Sequence, residues 1–483
     1  MLNKIVEDFL SNKSLLLGDK QNTLNNKESN LIIKNILDKI SHLNENIIGI
    51  MLPRNINYIL VILALWKSGR AFVPLNYNWP SSFVNLIIKR SNIKYLISDK
   101  KKVKIKTIKT ILLKNEFNKN YNKNYKKKYK KKNKKKVNNK AAYTIFTSGS
   151  TGKPKGVQIS KKAFITYFNW VKKNQISKKK IRHLITGEIT FDIILADLAF
   201  ALANKTSVFI TDDPKNVFST LELISKYKIN SIYCVPSLID RIVDAAKALS
   251  LKPTSFEFVF CGGDIFKTKL FQKIKFFFKG ARIFNMYGPT ECAMNCLGIE
   301  LNKLKNASKL KNLPTGYKFK HLKYLILNEK EKEDLKGELF IGGEQLMDGY
   351  VGKKKNNLII PFIKIKNQWF YKTGDIFKRE GKLFYFIGRK NQINKLAGFR
   401  LNFSFIENAV EKLNFINEFK LHIKNDNLYA FYISKKKNKL SSLKKFLKKK
   451  FPNYMIPKKI INVKNFPLND RGKINYKILE KKI

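Results

Sequence analysis

Cysteine, histidine and long apolar runs are scarce in this sequence. Its 483 residues include only 4 cysteines and 4 histidines, and no two cysteines form a CxxC pair. This pattern excludes a disulfide scaffold and is not typical of a zinc site, so we expect reduced thiols. The best apolar stretch, residues 58–66, is closed by Lys67 and falls well short of the ~20 residues that span a bilayer. No membrane-spanning helix is therefore expected.

The N-terminus lacks the pattern of a secretory signal. Glu7 and Asp8 interrupt its apolar residues, whereas a signal peptide carries a continuous apolar core. We therefore expect a cytoplasmic protein.

Acidic residues are also few: 35, against 97 lysines and arginines, which gives a formal net charge of +62. Taken alone, that charge suggests a nucleic acid or an anionic membrane as partner. Yet the lysines come with asparagine and isoleucine in unconstrained segments such as 435–439. These three residues share A/T-rich codons, so drift in an AT-rich genome explains the excess as well as selection does. We favour drift and do not expect a nucleic-acid partner.

Strands and helices alternate through much of the chain, which is 44% hydrophobic. A strand pattern begins at Ile47, a helical stretch runs to Trp66, and a second strand begins at Ala71. This order predicts a parallel α/β sheet. Further strand candidates, short and rich in β-branched or aromatic residues, are 143–147, 206–210, 231–235, 256–260 and 282–287.

The pattern changes after Ala307, where shorter strands such as 323–327 predict a smaller β-rich subdomain. We expect an α/β protein with two domains. The N-terminal domain, residues 1–389, has mixed and parallel sheets with helices plus the β-rich subdomain, and a small α+β domain, residues 390–483, follows.

A lysine-rich insert occupies residues 101–140. Like charges at this density repel each other and cannot bury a face, so a solvated insert is the expectation. Tyrosines alternate with the lysines and could stack on RNA bases, which keeps a basic nucleic-acid-binding protein open as a distant alternative.

The segment TSGSTGKPKG at 147–156 follows a strand candidate. Its glycines allow backbone N–H groups to approach an anion, and its hydroxyls and lysines add donors and charge, as in a phosphate-binding loop. It is not a Walker A loop, because Thr147 takes the first glycine position and Pro154 follows Lys153. By composition alone, an ordinary linker is the better explanation of the segment.

This segment resembles the signature loop of the adenylate-forming, or AMP-binding, enzyme superfamily. That superfamily includes acyl-CoA synthetases, luciferases and nonribosomal-peptide adenylation domains. Further matches follow in the expected order over nearly the whole chain: LALWKSGRAFVPL at 63–75, NMYGPTE at 285–291, GELFIGG at 337–343 with Gly349 and Tyr350, YKTGD at 371–375, the hinge motif at 388–400, and RGK at 471–473.

The resemblance implies ATP and Mg²⁺ and a set of site residues. Lys473 would stabilise the charge that grows in the transition state, while Thr290 and Glu291 would reach the α-phosphate and, through Glu291, the Mg²⁺. Asp375 would bind the ribose hydroxyls from a Thr-Gly-Asp turn, and Tyr287 would stack on adenine. The remaining nucleotide-binding residues implied are Thr147, Ser148, Gly149, Ser150, Thr151, Gly152, Lys153, Gly262, Gly263, Asn285, Gly288 and Arg389.

In this superfamily a carboxylate attacks ATP to give an acyl-adenylate, and a thiol then displaces AMP. The small C-terminal domain rotates about a hinge between the two steps. Here the hinge aspartate is replaced by Asn391, and the glutamate expected after Arg400 is Asn402. An inactive relative therefore stays open.

Asp192 indicates which acid is activated. It resembles the aspartate with which amino-acid-activating members bind the substrate ammonium, a charge pair that is strong in a partly dry pocket. The alternative is an aspartate that caps a helix. The implied wall is mostly apolar and carries no second charge, so we predict a small or medium neutral side chain. The wall residues are Ile193, Ala196, Cys234, Val259, Cys261, Met286, Met294 and Asn295.

Two narrower alternatives remain. Cys261 resembles a cysteine of D-alanine carrier-protein ligases, although a buried structural cysteine is the commoner reason for such a residue. An acyl- or aryl-CoA ligase is the other alternative. Only ten residues follow Lys473, with no phosphopantetheine site, so we expect the thiol on a separate carrier protein. A basic surface would assist docking to such an acidic partner.

Overall fold

The computed structural model describes the residues 1–99, 108–113, 117, 139–147, 154–310, 312–352, 358–359, 361–390, 394–396, 399–434, 439–467 and 474–483. Most of the lysine-rich insert, and the predictions made for it, lie outside the described residues.

Twelve α-helices fall in the described ranges, and several begin at residues with clear helix-starting chemistry. Asn25 and Glu28 form a capping box at the start of α2, and Pro236 occupies the first turn of α8. The helices are α1 (Leu2–Leu10), α2 (Asn26–Ile40), α3 (Ile56–Lys67), α4 (Ser81–Ser91), α5 (Lys161–Asn174), α6 (Ile193–Asn204), α7 (Val217–Lys226), α8 (Pro236–Ala248), α9 (Thr268–Phe277), α10 (Phe403–Val410), α11 (Leu440–Lys450) and α12 (Tyr476–Glu480).

The strands are mostly short. In chain order they are β1 (Leu16–Gly18), β2 (Thr23–Asn25), β3 (Ile47–Met51), β4 (Ala71–Pro74), β5 (Tyr95–Ser98), β6 (Lys109–Leu112), β7 (Ala141–Thr147), β8 (Lys155–Ser160), β9 (Arg182–Ile185), β10 (Ser207–Ile210), β11 (Ser231–Cys234), β12 (Thr254–Ser255), β13 (Phe258–Gly262), β14 (Phe278–Lys279), β15 (Arg282–Tyr287), β16 (Leu297–Glu300), β17 (Tyr317–Lys318), β18 (Lys323–Leu327), β19 (Lys336–Gly342), β20 (Gly349–Val351), β21 (Leu358–Ile359), β22 (Phe362–Ile365), β23 (Gln368–Glu380), β24 (Leu383–Arg389), β25 (Asn394–Leu396), β26 (Phe399–Leu401), β27 (Ile416–Lys424), β28 (Asn427–Ser434) and β29 (Lys459–Asn462).

Three sheets dominate the larger part of the chain. A nine-stranded sheet has the order β17-β16-β15-β13-β11-β9-β10-β1-β2, parallel from β15 to β1. An eight-stranded sheet has the order β21-β20-β8-β7-β4-β3-β5-β6, parallel from β7 to β6. A five-stranded antiparallel sheet joins β18, β19, β23 and β22, with β24 paired to β23.

The main hydrophobic core includes residues of both large sheets and of α1, α2, α3, α5 and α6. Helix α3 lies at its centre, and the side chains from Tyr58 to Trp66 are inaccessible to solvent. Such complete burial explains why this helix is apolar on all sides. A second core cluster is formed by α7, α8 and α9 with the other face of the nine-stranded sheet.

The chain divides into two compact units. The first comprises Met1–Tyr77, Arg90–Ile145 and Gly156–Lys390, and the second comprises Asn78–Lys89, Phe146–Lys155 and Asn391–Ile483. Within the second unit, β27, β28 and β29 form a three-stranded sheet, and α10 packs on β27.

The predicted α/β class is confirmed, and the β3-α3-β4 order matches the expected strand, helix and strand. Strands β15 and β18 have the predicted bounds, and the candidates 143–147, 206–210, 231–235 and 256–260 are shifted at one or both ends by one or two residues. Within the described ranges, none of the helices combines the length and apolar character that crossing a bilayer requires.

Candidate functional site

Asp375 lies within the long strand β23, where the sequence predicted a turn. Across the ladder with β19, the pairing jumps from Phe340 with Lys372 to Glu338 with Ile376. Residues 373–375 therefore face a single residue, which is a β-bulge, and Gly374 takes a positive φ of 72° there. Because a bulge re-aims side chains, it sets where the Asp375 carboxylate points.

The Asp375 carboxylate is 1% exposed and is held by two side chains. Arg389 lies directly opposite on β24, with its Nε 2.5 Å from Oδ1 and its Nη2 3.2 Å from Oδ2. The Tyr287 hydroxyl donates to Oδ2 at 2.6 Å. Sequence reasoning assigned all three residues to the nucleotide site, and the structure brings them into direct contact.

The Tyr287 ring packs edge-on against Phe377, with ring centroids 4.9 Å apart. Burial raises the pKa of Tyr287 well above its ordinary value, and the neighbouring Asp375 carboxylate raises it further. The phenol therefore stays protonated and remains a hydrogen-bond donor to the carboxylate at neutral pH.

Three glycines and an asparagine support this region. Gly262 ends β13, and a Cβ there would lie 2.8 Å from the Tyr233 hydroxyl, while Gly263 has a φ of 86°. At Gly288 a Cβ would lie 2.0 Å from the Met294 carbonyl oxygen, so no other residue fits without moving the chain. Asn285 is buried, and its side-chain amide donates to the Pro314 carbonyl at 2.8 Å.

Thr290 and Glu291 lie in a single 3₁₀ turn, Thr290–Cys292, directly after the NMYGP segment. Glu291 is 2% exposed, and the Tyr350 hydroxyl donates to its Oε1 at 2.8 Å. The described residues hold no group of three metal-binding side chains. A single carboxylate nevertheless fits Mg²⁺, which binds through one or two carboxylates together with substrate phosphates and water.

Gln345 holds the loop that follows this turn. Its side-chain Nε2 donates to the carbonyl oxygens of Cys292, Ala293 and Asn295, at 2.8, 3.3 and 2.6 Å. His321 Nε2 donates to its Oε1 at 2.7 Å. The loop needs such support because Ala293 and Met294 both have positive φ, of 43° and 79°, a strained conformation for residues other than glycine.

Asp192 occupies the N-cap position of α6, but its side chain does not cap the helix. The carboxylate is half-buried. It lies close enough to Tyr143, Tyr167 and Tyr233 to raise the pKa of each phenol, after the larger effect of burial. The helix-capping explanation of Asp192 is therefore not supported, since capping requires the side-chain bond that is missing.

The predicted wall residues separate into two groups on opposite faces of the nine-stranded sheet. Ala196, Met286 and Met294 belong to the main core, Ile193 packs against it, and Asn295 bonds to two of its tyrosines. Because consecutive strand residues point to opposite faces of a sheet, the other wall residues point away from this core and pack into the second core cluster. Those residues are Cys234, Val259 and Cys261.

The structure does not bring these three side chains together with Met286. Cys234 and Cys261 are register partners on β11 and β13, and both are fully buried. Burial raises the pKa of the Cys234 thiol to about 12, so the thiol stays neutral. All four cysteines are free and buried, as expected for reduced structural thiols.

Several predicted residues lie outside the described residues, namely Ser148, Gly149, Ser150, Thr151, Gly152, Lys153, Lys473 and Asn391. Thr147 is described as the last residue of β7 and is half-buried. Asn402 caps α10, because its side-chain oxygen accepts a hydrogen bond from the Phe405 backbone N–H at 3.2 Å.

Comparison with protein families assigns a large part of the chain to one family. The model of the family described as AMP-binding enzyme matches residues 35–351, which include Asp192, the NMYGPTE segment and Gln345. The chain belongs to the AMP-binding enzyme family. It is an adenylate-forming enzyme, and the members of this family use ATP.

Curated relatives of this AMP-binding enzyme include proteins of two kinds. Bacitracin synthase 1 of Bacillus licheniformis is 29% identical over 451 residues, which is 89% of this chain but 8% of that protein. The D-alanine--D-alanyl carrier protein ligase of Bacillus cereus strain AH187 is 27% identical over 441 residues, covering 87% of this chain and 86% of the ligase. The chain thus spans a small part of the first relative and most of the second.

Solved structures share the fold of this AMP-binding enzyme. An artificially fused adenylation-PCP di-domain from Klebsiella oxytoca superimposes with a TM-score of 0.79 at 22% identity, over 95% of this chain and 93% of that chain. A second protein containing adenylation and PCP domains gives a TM-score of 0.82 at 17% identity, over 99% and 84% of the two chains.

Sequence reasoning missed several residues that the structure places beside the predicted ones, among them Tyr233, whose hydroxyl bonds to Asn295. Tyr350 was read only as part of a motif, and Gln345 lies in the same stretch. Tyr143 and Tyr167 gave no signal beyond their aromatic character in a strand and a helix. A buried glutamine or tyrosine hydroxyl becomes noticeable only when its partners are known.

Proposed function

We propose that this enzyme activates an amino acid with a small or medium neutral side chain as an aminoacyl-AMP, and then transfers the aminoacyl group to the phosphopantetheine thiol of a separate carrier protein. The observation that carries the proposal is Asp192, a half-buried carboxylate at a helix start that it does not cap. A carboxylate in such a place suits a substrate ammonium group.

The first step joins the amino acid to ATP. A carboxylate oxygen of the amino acid attacks the α-phosphorus, the bond to the bridging oxygen breaks, and pyrophosphate leaves. Asp375, oriented by Arg389 and Tyr287, would accept the ribose hydroxyls of ATP. Glu291 would hold Mg²⁺, which neutralises phosphate charge when bound.

The second step forms a thioester. The carrier thiolate attacks the acyl carbon, the bond from that carbon to the AMP oxygen breaks, and AMP leaves with the electron pair. Lys473 would stabilise the developing charge in the first step. Residues 390–483 would act as a mobile lid that rotates between the two steps and moves Lys473 out of the site. The D-alanine--D-alanyl carrier protein ligases, of which the chain covers 86%, support a carrier protein as acceptor.

The test is ATP–pyrophosphate exchange driven by each L-amino acid, glycine and D-alanine. We expect exchange with one neutral amino acid and none with acetate, benzoate or a fatty acid. Asp192→Ala should reduce kcat/KM for that amino acid by about 100-fold, because a partly buried charge pair contributes roughly 3 kcal/mol. Asp8→Ala is the matched control, since that carboxylate pairs with Lys205 at the surface.

Carrier transfer is measured separately with radiolabelled amino acid and a phosphopantetheinylated carrier. We expect label on the holo-carrier and none on the apo-carrier. Exchange driven only by simple carboxylic acids, with thioester formed on coenzyme A, would contradict the proposal and indicate an acyl- or aryl-CoA ligase.

A further inference from the structure

Three tyrosines and one asparagine form a buried cluster near Asp192, which we call the phenol cluster: Tyr143, Tyr167, Tyr233 and Asn295. The Tyr233 hydroxyl donates to Asn295 Oδ1 at 2.9 Å, and Asn295 Nδ2 donates to the Tyr167 hydroxyl at 2.8 Å. Each member is at most 5% exposed.

Two hydroxyl protons of the phenol cluster have no bonded acceptor among the described residues. The Tyr167 oxygen accepts a bond from Asn295, but its own proton has no acceptor there. The Tyr143 hydroxyl is fully buried and has no hydrogen-bond partner in the part of the chain that the structure describes. Buried hydroxyl groups are nearly always bonded, so two unmatched phenol protons in one place suggest a ligand that supplies the acceptor.

The phenol cluster adjoins two predicted site residues, Asp192 and Gly262. The charge of Asp192 affects Tyr143, Tyr167 and Tyr233, so these phenols are near the proposed ammonium-binding carboxylate. The Tyr233 hydroxyl also packs against Gly262, where a Cβ would come within 2.8 Å of it. The loop that carries Asn295 follows Glu291 directly and is fixed by Gln345.

Electrostatics keeps these phenols as donors. Burial and then the Asp192 carboxylate raise the pKa of Tyr143, and burial raises the pKa of Tyr167. The acidic side chains that act on the cluster are Asp192 and Asp197. An anionic substrate side chain would be repelled there, whereas an uncharged acceptor would not.

We propose that the activated amino acid carries an uncharged hydrogen-bond acceptor in its side chain, a hydroxyl or a carboxamide, and that Tyr143 and Tyr167 select it by donating to that acceptor. This inference rests on the proposed amino-acid adenylation and narrows its substrate class. An apolar side chain of the same size would leave two buried phenol protons unpaired, and sites built around such bonds reject the apolar analogue strongly.

The experiment compares matched pairs in ATP–pyrophosphate exchange: serine with alanine, threonine with valine, asparagine with leucine, and glutamine with methionine. For the wild-type enzyme we expect kcat/KM to be at least about 100-fold higher for the polar member of one pair. A preference for the apolar member of every pair, or for an acidic or basic amino acid, would overturn the inference while leaving amino-acid adenylation intact.

Tyr143→Phe removes the unpaired hydroxyl and keeps the ring. We expect it to reduce the polar-over-apolar ratio of kcat/KM about 10-fold or more, with little change for the apolar member. Tyr58→Phe is the matched control, because that buried hydroxyl donates to the Ile189 backbone carbonyl, and the ratio should not change. If Tyr143→Phe loses activity equally with both members of a pair, the hydroxyl acts on the ammonium group that they share. That result would contradict selection of a polar side chain by Tyr143.

The two proposals fail in different ways. Asp192→Ala should lower kcat/KM for both members of a pair by the same factor, since the ammonium group is common to them. If no amino acid supports exchange with the wild-type enzyme, the proposed function fails. If amino acids do support it but the polar-over-apolar ratio stays near one, only the inference about the phenol cluster fails.

Discussion

Replacement of Arg389 by alanine tests the arrangement around Asp375. In the folded protein the Asp375 carboxylate is 1% exposed, and Arg389 provides two of its contacts, at 2.5 and 3.2 Å. Without the guanidinium, the carboxylate keeps the Tyr287 hydroxyl as its bond at 2.6 Å. The variant therefore leaves a nearly uncompensated charge in a buried place.

The size of the effect follows from burial. Removal of one partner from a buried ion pair costs about 3–5 kcal/mol, and the Arg389 side chain is 12% exposed, so we expect a value near the lower end. Arg389→Lys keeps a charge but loses the forked geometry, and should cost roughly 1–2 kcal/mol. Combining Arg389→Ala with Asp375→Asn removes the stranded charge and should recover at least ~1 kcal/mol.

The assay is urea unfolding, compared at one pH and ionic strength for all variants. Arg379→Ala is the matched control, because that arginine lies on β23, the strand of Asp375, but its side chain is exposed; it should change stability by less than about 0.5 kcal/mol. An Arg389→Ala cost below about 1 kcal/mol, or no recovery in the double variant, would refute the view that Arg389 compensates a buried Asp375 charge.

Three further predictions concern other groups. Burial raises the pKa of Glu300, but bonds from Arg282 and Lys303 outweigh it and leave the pKa lowered. Glu300→Gln should therefore cost about 1 kcal/mol near pH 7 and progressively less as the pH falls below the ordinary value of 4.5, measured as unfolding midpoints across pH. Burial raises the pKa of Asp197, whose Oδ1 bonds to His183 Nε2 at 2.7 Å. Because burial penalises ionisation, the protein loses stability as the pH rises from the ordinary value of 3.8 towards the raised pKa of Asp197. Asp197→Asn should therefore flatten this part of the pH–stability curve. Asp197→Leu should destabilise the protein by roughly 2 kcal/mol more than Asp197→Asn, because it leaves the His183 imidazole N–H without an acceptor. Gln345→Leu removes the amide group that donates three hydrogen bonds to the 292–295 loop. It should lower kcat/KM in pyrophosphate exchange about 10-fold or more and speed amide hydrogen exchange in that loop; no change in either assay would exclude a supporting role.

The alternation of strands and helices was readable from the sequence because parallel strands are buried on both faces and form short apolar runs. Strand β15 and the β3-α3-β4 unit illustrate this. The family resemblance likewise located Asp375, Tyr287 and Arg389, although their direct contact depends on how β15, β23 and β24 meet in space.

Two features could not be read from the sequence. The Thr-Gly-Asp segment has the composition of a turn, and only its pairing with β19 shows that it is a bulge in a 13-residue strand. The strand of Cys234 and that of Cys261 are buried on both faces, so the sequence carries no alternation of polar and apolar residues to indicate which face meets α6. Their neighbours Tyr233 and Phe260 lie on that face.

The Gln345 bonds have a consequence for how specificity can change. All three bonds that its amide donates go to backbone carbonyl oxygens, of Cys292, Ala293 and Asn295. Every residue type has such a carbonyl, so substitution at Met294 or Asn295 leaves the same acceptors for the glutamine. Side chains on this loop can therefore be exchanged, by evolution or in a designed library, while the same Gln345 amide keeps the loop path. Gly288 should tolerate no such exchange, because any Cβ there would collide with the Met294 carbonyl oxygen.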